Sequence, residues 1–126
     1  MYKHLIIFFL LVLTSINAES QVIINEFSAS NLNNFKDNYE KTEDWVELYN
    51  AGNQSVDLSG WYLTDKASKL KKWQFPAGNI IESKAFLLLW CSGRDEQIGN
   101  QIHTNFKLSQ TSGKDEVILV DKNKNI

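Results

Sequence analysis

"DWVELYNAGNQSVDLSGWYLTD", residues 44–65, decides how the chain is read. Its first seven residues alternate, with Val46 and Leu48 on one side of an extended strand and Trp45, Glu47 and Tyr49 on the other. A strand with one aliphatic face and one aromatic, acidic face belongs to a sheet with a buried side and an outer side. "AGNQ" then offers a reversal at Gly52 and Asn53, both tolerant of positive φ. In "VDLSGWYLTD", Asp57 is placed to accept hydrogen bonds from backbone N–H groups two or three residues on, and Gly60 supplies a conformation closed to branched side chains. The expected product is a strand, a reversal, a locked turn and a second strand, in which Trp61 and Leu63 alternate with Tyr62.

The same rhythm of short β-prone runs and turn residues extends to both sides. "QVIINEF" at residues 21–27 reads as a strand, and the polar stretch 28–42 as a long loop. "WQFPAGNII" at 73–81 puts Trp73 and Phe75 on one face, with Pro76 and Gly78 bending the chain, since proline gives no N–H to a ladder. "AFLLLWC" at 85–91 is nearly continuous in apolar residues, as for a central strand covered on both faces. "SGRDEQIGN" reads as a connection, "QIHTNFKLS" and "DEVILVD" as strands, and "KNKN" at 122–125 as a turn awaiting a partner strand. No amphipathic helix of useful length interrupts this series. Strands at such spacing predict an all-β fold, a sandwich or barrel.

The first 20 residues read differently. Lys3 and His4 precede an apolar run over residues 5–13 and a small-residue exit, the build of a secretory signal peptide cleaved after Ala18 or Ser20. The run is far shorter than the ~20 residues of a membrane-spanning helix, so no permanent span is expected after cleavage. Residues 21–126 are the size of a single domain. The expected location is secreted, periplasmic or on the cell surface. Cys91 is the only cysteine, so packing rather than an intrachain disulfide must stabilise the domain. With 13 basic and 15 acidic residues the chain offers a single basic stretch, "KASKLKK" at 66–72, which reads as a solvated loop. A nucleic-acid partner is not expected, because it would want a clustered basic face.

Chemistry finds few candidates. His103 is the only histidine beyond the leader, and a pair with Cys91 would place the thiol at the end of an apolar strand, where burial keeps it protonated. Glu26, Asp44, Glu47 and Asp65 lie in or beside strong strands and could serve a carboxylate-based hydrolase if their oxygens converged. Asp37, Glu40, Glu43 and Asp44 form a weak calcium candidate, matching no EF-hand spacing. No phosphate-loop or zinc pattern occurs, so no cofactor is expected. Trp45, Trp61, Trp73, Trp90, Tyr49, Tyr62, Phe75, Phe86 and Phe106 are expected mainly in the core, each ring removing on the order of 150–250 Å2 from water. Trp45 and Tyr62 are the candidates for exposed, ligand-contacting rings.

Six blocks in order, "INEF" at 24, "DWVELYN" at 44, "VDLSGWYLTD" at 56, "WQFPAG" at 73, "FLLLWCSG" at 86 and "HTNFKLS" at 103, strongly resemble the lamin tail domain of bacterial exported proteins. The resemblance implies an immunoglobulin-like antiparallel β-sandwich without catalytic residues. It also implies structural roles for Asp57, Gly60 and Trp61, for the bend at Trp73, Phe75, Pro76 and Gly78, and for Trp90. Members of that family usually continue past the position of Asn125 with a last strand, so the sequence as given is expected either to be a fragment of a longer chain or to leave a sheet edge open, and an open edge would invite another strand. Three functions remain open at this point: an exported module contacting a protein or cell-envelope component within a larger surface or secreted protein, a carbohydrate-binding accessory module, and a small hydrolase.

Overall fold

The alternation in residues 44–50 becomes strand β2 (Asp44–Asn50) of the largest sheet, between partners formed by two of the neighbouring runs. The computed structural model describes residues 21–32, 35–109 and 116–126; the expected signal peptide lies outside them. Besides β2 the strands are β1 (Val22–Ser28), β3 (Val56–Asp57), β4 (Tyr62–Thr64), β5 (Trp73–Gln74), β6 (Ile80–Ile81), β7 (Phe86–Cys91), β8 (Glu96–Ile98), β9 (Gln101–His103) and β10 (Ile118–Val120). Among the described residues there is no helix. The strands form a five-stranded sheet in the order β1-β2-β7-β9-β8, a three-stranded sheet β10-β4-β5, and the pair β3-β6.

One core joins these sheets. Val46, Leu48, Leu89, Cys91 and Ile102 from the large sheet pack with Leu58, Leu63, Trp73, Phe75 and Ile81 from the opposite side. Full burial of one such aliphatic side chain is worth roughly 1.5–3 kcal/mol, which is how a domain with one free cysteine holds together. Val46 and Leu48 are both 0% exposed, as the alternation requires of the inner face.

The ladders are antiparallel except between β7 and β9, which run parallel with Leu89 opposite Ile102 and Trp90 opposite His103. The all-antiparallel expectation fails there because β8 intervenes in the chain but not in the sheet. "SGRDEQIGN" is more than a connection: Glu96–Ile98 pairs with β9 through a two-residue turn at Gly99 and Asn100. Gly99 takes the positive φ (59°) that such a hairpin needs at its first turn position. The hairpin returns β9 into the slot beside β7 and leaves β8 as the outer edge.

The reversal after β2 is built otherwise than "AGNQ" suggested. Neither Gly52 nor Asn53 is among the residues with positive φ. The turn is held by Asn50, whose side chain is fully buried: Nδ2 donates to Gln54 O at 2.8 Å and to Ile81 O at 3.0 Å, while Oδ1 accepts from Gly52 N at 3.0 Å. A Cβ at position 52 would stand 2.3 Å from the Gln21 side-chain oxygen, so a larger residue there would have to push that flexible side chain aside. The second turn matches expectation. Asp57 Oδ1 accepts from Ser59 N at 2.9 Å and from the Ser59 hydroxyl at 2.5 Å, and Gly60 and Gly78 take φ of 80° and 88°. Trp73 and Phe75 are buried together with ring centroids 4.8 Å apart.

The long stretch after β1 crosses the outer face of the large sheet as a strap. Alternation sends Trp45 and its cross-strand partner Trp90 outward, yet they are only 7% and 4% exposed. Phe35 from the strap meets Trp45 edge-on at 5.6 Å, and Asn31 Nδ2 fastens the strap to Phe35 O and Glu43 O. At the other end of the same face the sheet is open: Ile23, Tyr49 and Phe86 lie in one cross-strand row, with Phe86 58% exposed. "AFLLLWC" is therefore covered on both faces only towards Cys91.

Candidate functional site

Two places gather chemistry-bearing side chains: the strap over β9, and the gap between the edge strands β1 and β10. Under the strap, His103 is 0% exposed. Its Nε2 lies 2.7 Å from Asn38 Oδ1, an acceptor, so Nε2 carries the proton. Nδ1 is then free to accept from the Ser92 hydroxyl at 2.8 Å, and Ser92 Oγ in turn accepts from Arg94 N at 3.3 Å. Tyr39 packs edge-on against the imidazole, with the Arg94 guanidinium over its outer face at 4.1 Å and its hydroxyl 2.5 Å from Glu96.

This serine, histidine and asparagine are arranged like the members of a nucleophilic triad, but their chemistry is that of a clamp. Ser92 is 6% exposed and its oxygen is occupied by a backbone donor. A nucleophile needs access to substrate and a basic partner. Burial pulls the His103 pKa below its ordinary value, opposed by Asp37 and Glu96 and reinforced by Arg94. The folded state therefore favours neutral imidazole. Above the unfolded pKa of about 6.5 both states are neutral and the fold keeps its full stability; as pH falls below it, the unfolded chain takes up a proton that the folded chain resists, and stability declines towards the folded pKa. Urea midpoints measured between pH 7.5 and pH 5 should fall on the acid side, and the fall should flatten in His103→Gln.

Cys91 and His103 do not form a pair. The thiol is buried, in contact with Thr104 rather than the imidazole, and burial pushes its pKa up to about 12, leaving essentially no thiolate at neutral pH.

The calcium candidates do not converge. Asp37 folds back on its own loop, its Oδ1 accepting from Tyr39 N and Lys41 N at 2.9 Å each. Glu40 lies 3.7 Å from Lys36, Glu43 lies 3.7 Å from Lys107, and Asp44 sits in β2 opposite Cys91, where burial raises its pKa. Among the described residues no three such groups could hold a metal ion. Glu26 and Glu47 face each other across a bulge in the β1–β2 ladder, and Glu47 Oε1 accepts from Asn25 at 2.8 Å. They stand on the outer side of the sheet, outside the described cavity. Asp65 is spoken for by Lys72 at 2.5 Å, with the same ammonium over the Phe106 ring, so the last lysine of "KASKLKK" belongs to the protein rather than to solvent.

The ring expectations need correction as well. Trp45 is sealed under Phe35, because alternation gives the direction of a side chain and not what covers it. Tyr62 is half-buried, its hydroxyl 3.4 Å from the Gln74 amide. Tyr49 and Phe86 are stacked on one another at 4.7 Å, so their ring faces are turned to each other and not side by side to solvent. A sugar platform needs the latter. Trp90 Nε1 donates to Gln101 and Trp73 Nε1 to Asp95, so both indoles are satisfied internally.

The second place is a cavity of about 320 Å3 lined by Val22, Ile23 and Ile24 of β1, by Ile118 and Leu119 of β10, by Trp61, and by Asn125 and Ile126 beyond β10. β1 is the edge of the large sheet and β10 the edge of the three-stranded one, so two strand margins from opposite layers bound it. Beyond β10 the chain makes the turn expected of "KNKN". Asp121 N donates to Asn125 O at 2.9 Å, Lys124 N donates to Asp121 O at 3.0 Å, and Lys124 takes a φ of 66°. That is a hairpin loop of three residues with a left-handed third position. Asp121 Oδ1 secures it by accepting from Asn123 N and Asn125 N, and these backbone donors, led by Asn125, hold the carboxyl below its ordinary pKa. Neither Asn50 nor this groove was named from the sequence as a site; the paired edges needed the sheet order to be known.

A family model described as the Lamin Tail Domain matches residues 15–126. The chain belongs to the lamin tail domain family. Members are immunoglobulin-like domains of a non-catalytic, interaction or structural kind, which agrees with the all-β, mainly antiparallel architecture. No curated protein matches the chain. The residues that the resemblance singles out lie as follows: Asp57 and Gly60 at the locked turn, Trp61 in the cavity lining, Trp73 and Phe75 in the core, Gly78 at positive φ with Pro76 exposed two residues before it, and Trp90 buried with its indole N–H on Gln101. Among the described residues no helix is long and apolar enough to cross a membrane.

Proposed function

We propose that this lamin tail domain is an exported, non-enzymatic interaction module of a larger surface or secreted protein, and that it binds a protein or cell-envelope component through the margin between β1 and β10. The observation that carries this reading is the aliphatic cavity bounded by two strand edges, which contrasts with the occupied polar groups elsewhere. Exposed apolar recesses rimmed by polar residues are where partners seat. The leader-like residues 1–20 support export. The clamp at His103, the protonated Cys91 and the setting of Glu26 and Glu47 on the outer side of the sheet, away from the cavity, support a non-catalytic reading.

The full chain, expressed with its own leader, should be recovered outside the cytoplasm and should retain one reproducible component of an envelope extract, released by excess soluble protein. Retention of nothing, together with hydrolysis of a generic ester, peptide or glycoside panel, would defeat the proposal.

A further inference from the structure

We infer that the uncovered end of the large sheet's outer face receives a segment of a partner protein that carries an arginine among apolar residues, with the guanidinium seated on Glu26 and Glu47. This site goes beyond the reading above: none of Glu26, Glu47, Tyr49, Phe86 or Leu88 lines the β1–β10 cavity, and it stands whether or not that margin holds a partner.

The ladders set out the surface in rows. Glu26 stands opposite Glu47 and Glu47 opposite Leu88; on one side of them come Ile23, Tyr49 and Phe86. The row on the other side, Ser28, Trp45 and Trp90, is the one the strap closes. What stays open is two carboxylates beside a half-buried leucine, next to a stacked pair of rings of which Phe86 is more than half exposed. Two glutamates directly opposite in a ladder repel, and the free domain leaves that repulsion unanswered. Among the described residues the ion pairs are Lys36 with Glu40, Lys72 with Asp65 and Lys107 with Glu43, so no cation reaches either acid; Glu47 has only the neutral Asn25 amide.

The charge chooses among occupants. A second copy docked by this same face would bring four carboxylates together or bury them against rings, with no cation in the face to answer them. An anionic bilayer repels the same carboxylates. A cationic side chain in an otherwise apolar segment satisfies both parts of the surface. Arginine fits better than lysine, since its flat fork offers donors to two carboxylates at once and stacks on an aromatic face one row away. Alternate residues of a strand face one side at about 7 Å intervals, so in an extended segment laid along β2 an apolar residue two positions from the arginine reaches Tyr49 and Phe86 when the arginine reaches the acids.

The test uses capped peptides of about seven residues with a central arginine, leucine or phenylalanine two positions to either side and threonine elsewhere, together with versions carrying glutamine or glutamate at the centre. Titrations are followed by amide shifts of the isotope-labelled chain and by peptide anisotropy, in the parent and in the double variant Glu26→Gln, Glu47→Gln. The expected result is saturable binding of the arginine peptide that moves the signals of Glu47, Tyr49, Phe86 and Leu88 and weakens as salt rises. Central glutamine should weaken it on the order of fivefold, and glutamate further. The double variant should keep its fold and lose the preference for arginine. Glu26→Gln alone needs no ligand: relief of the repulsion should raise Tm by on the order of 2 °C at low salt and by less at high salt.

Equal binding of the three peptides would overturn the inference, as would saturable binding by none of them, an undiminished arginine preference in the double variant, or a lower Tm in Glu26→Gln. So would signals of the same residues that move with protein concentration alone, since the occupant would then be a second copy, or with vesicles of anionic lipid, since it would then be a membrane. Shifts confined to β10 would return the segment to the β1–β10 margin, leaving the interaction reading in place and removing only this site.

Discussion

Asn50→Asp is expected to destabilise the fold by on the order of 4 kcal/mol at pH 7, enough to leave much of the population unfolded if the stability lies within the usual 5–15 kcal/mol. The reason is the reversal of polarity at a fully buried position. Asn50 Nδ2 supplies hydrogens to Gln54 O and Ile81 O. An aspartate would turn a second acceptor towards two carbonyls, and a buried unpaired charge costs several kcal/mol. Its carboxyl pKa would rise, so acidification should recover part of the loss relative to the parent at the same pH. Asn50→Leu removes the same partners without adding charge, and it should cost less and show no such recovery. Urea denaturation at pH 7 and pH 4.5 separates the two; equal losses for both variants would show that the amide is not the hub of the turn.

Leu48→Ala should cost about 3 kcal/mol and lower Tm by roughly 15 °C, within the range for emptying a closed aliphatic site. Leu48 is fully buried in β2 with Ile24 and Leu87 as its cross-strand neighbours, so the lattice around it is held by ladders on both sides and cannot collapse into the void. Ile80→Ala removes a similar side chain that is 53% exposed and should change stability by less than about 0.5 kcal/mol. Calorimetry of both tests whether the inner face, and not aliphatic content as such, holds the sandwich.

What could be read in advance was what nearest neighbours along the chain decide. The inward Val46 and Leu48, the Asp57 to Ser59 lock, the left-handed Gly60 and the paired Trp73 and Phe75 all follow from residues within a few positions of one another. The misses are long-range. Asn38 stands 65 residues before His103, and nothing in "HTNF" announces its partner. Trp45 faces outward as its parity demands, but the cover arrives from Phe35 in a polar stretch without strand character. The hairpin of β8 and β9 carried a signal in "IGNQ" that its short, polar arms obscured. The parallel placement of β9 beside β7 is a property of topology, which periodicity does not encode.

The strap has one more consequence. Trp45 and Trp90 share the outer side of neighbouring strands with Tyr49 and Phe86. If the stretch anchored by Asn31 and Asn38 lifted, these four rings would lie with Leu88 on one largely apolar face along two strands, interrupted by Glu47, the sort of surface through which molecules clump. Its amide anchors thus guard solubility as well as shape.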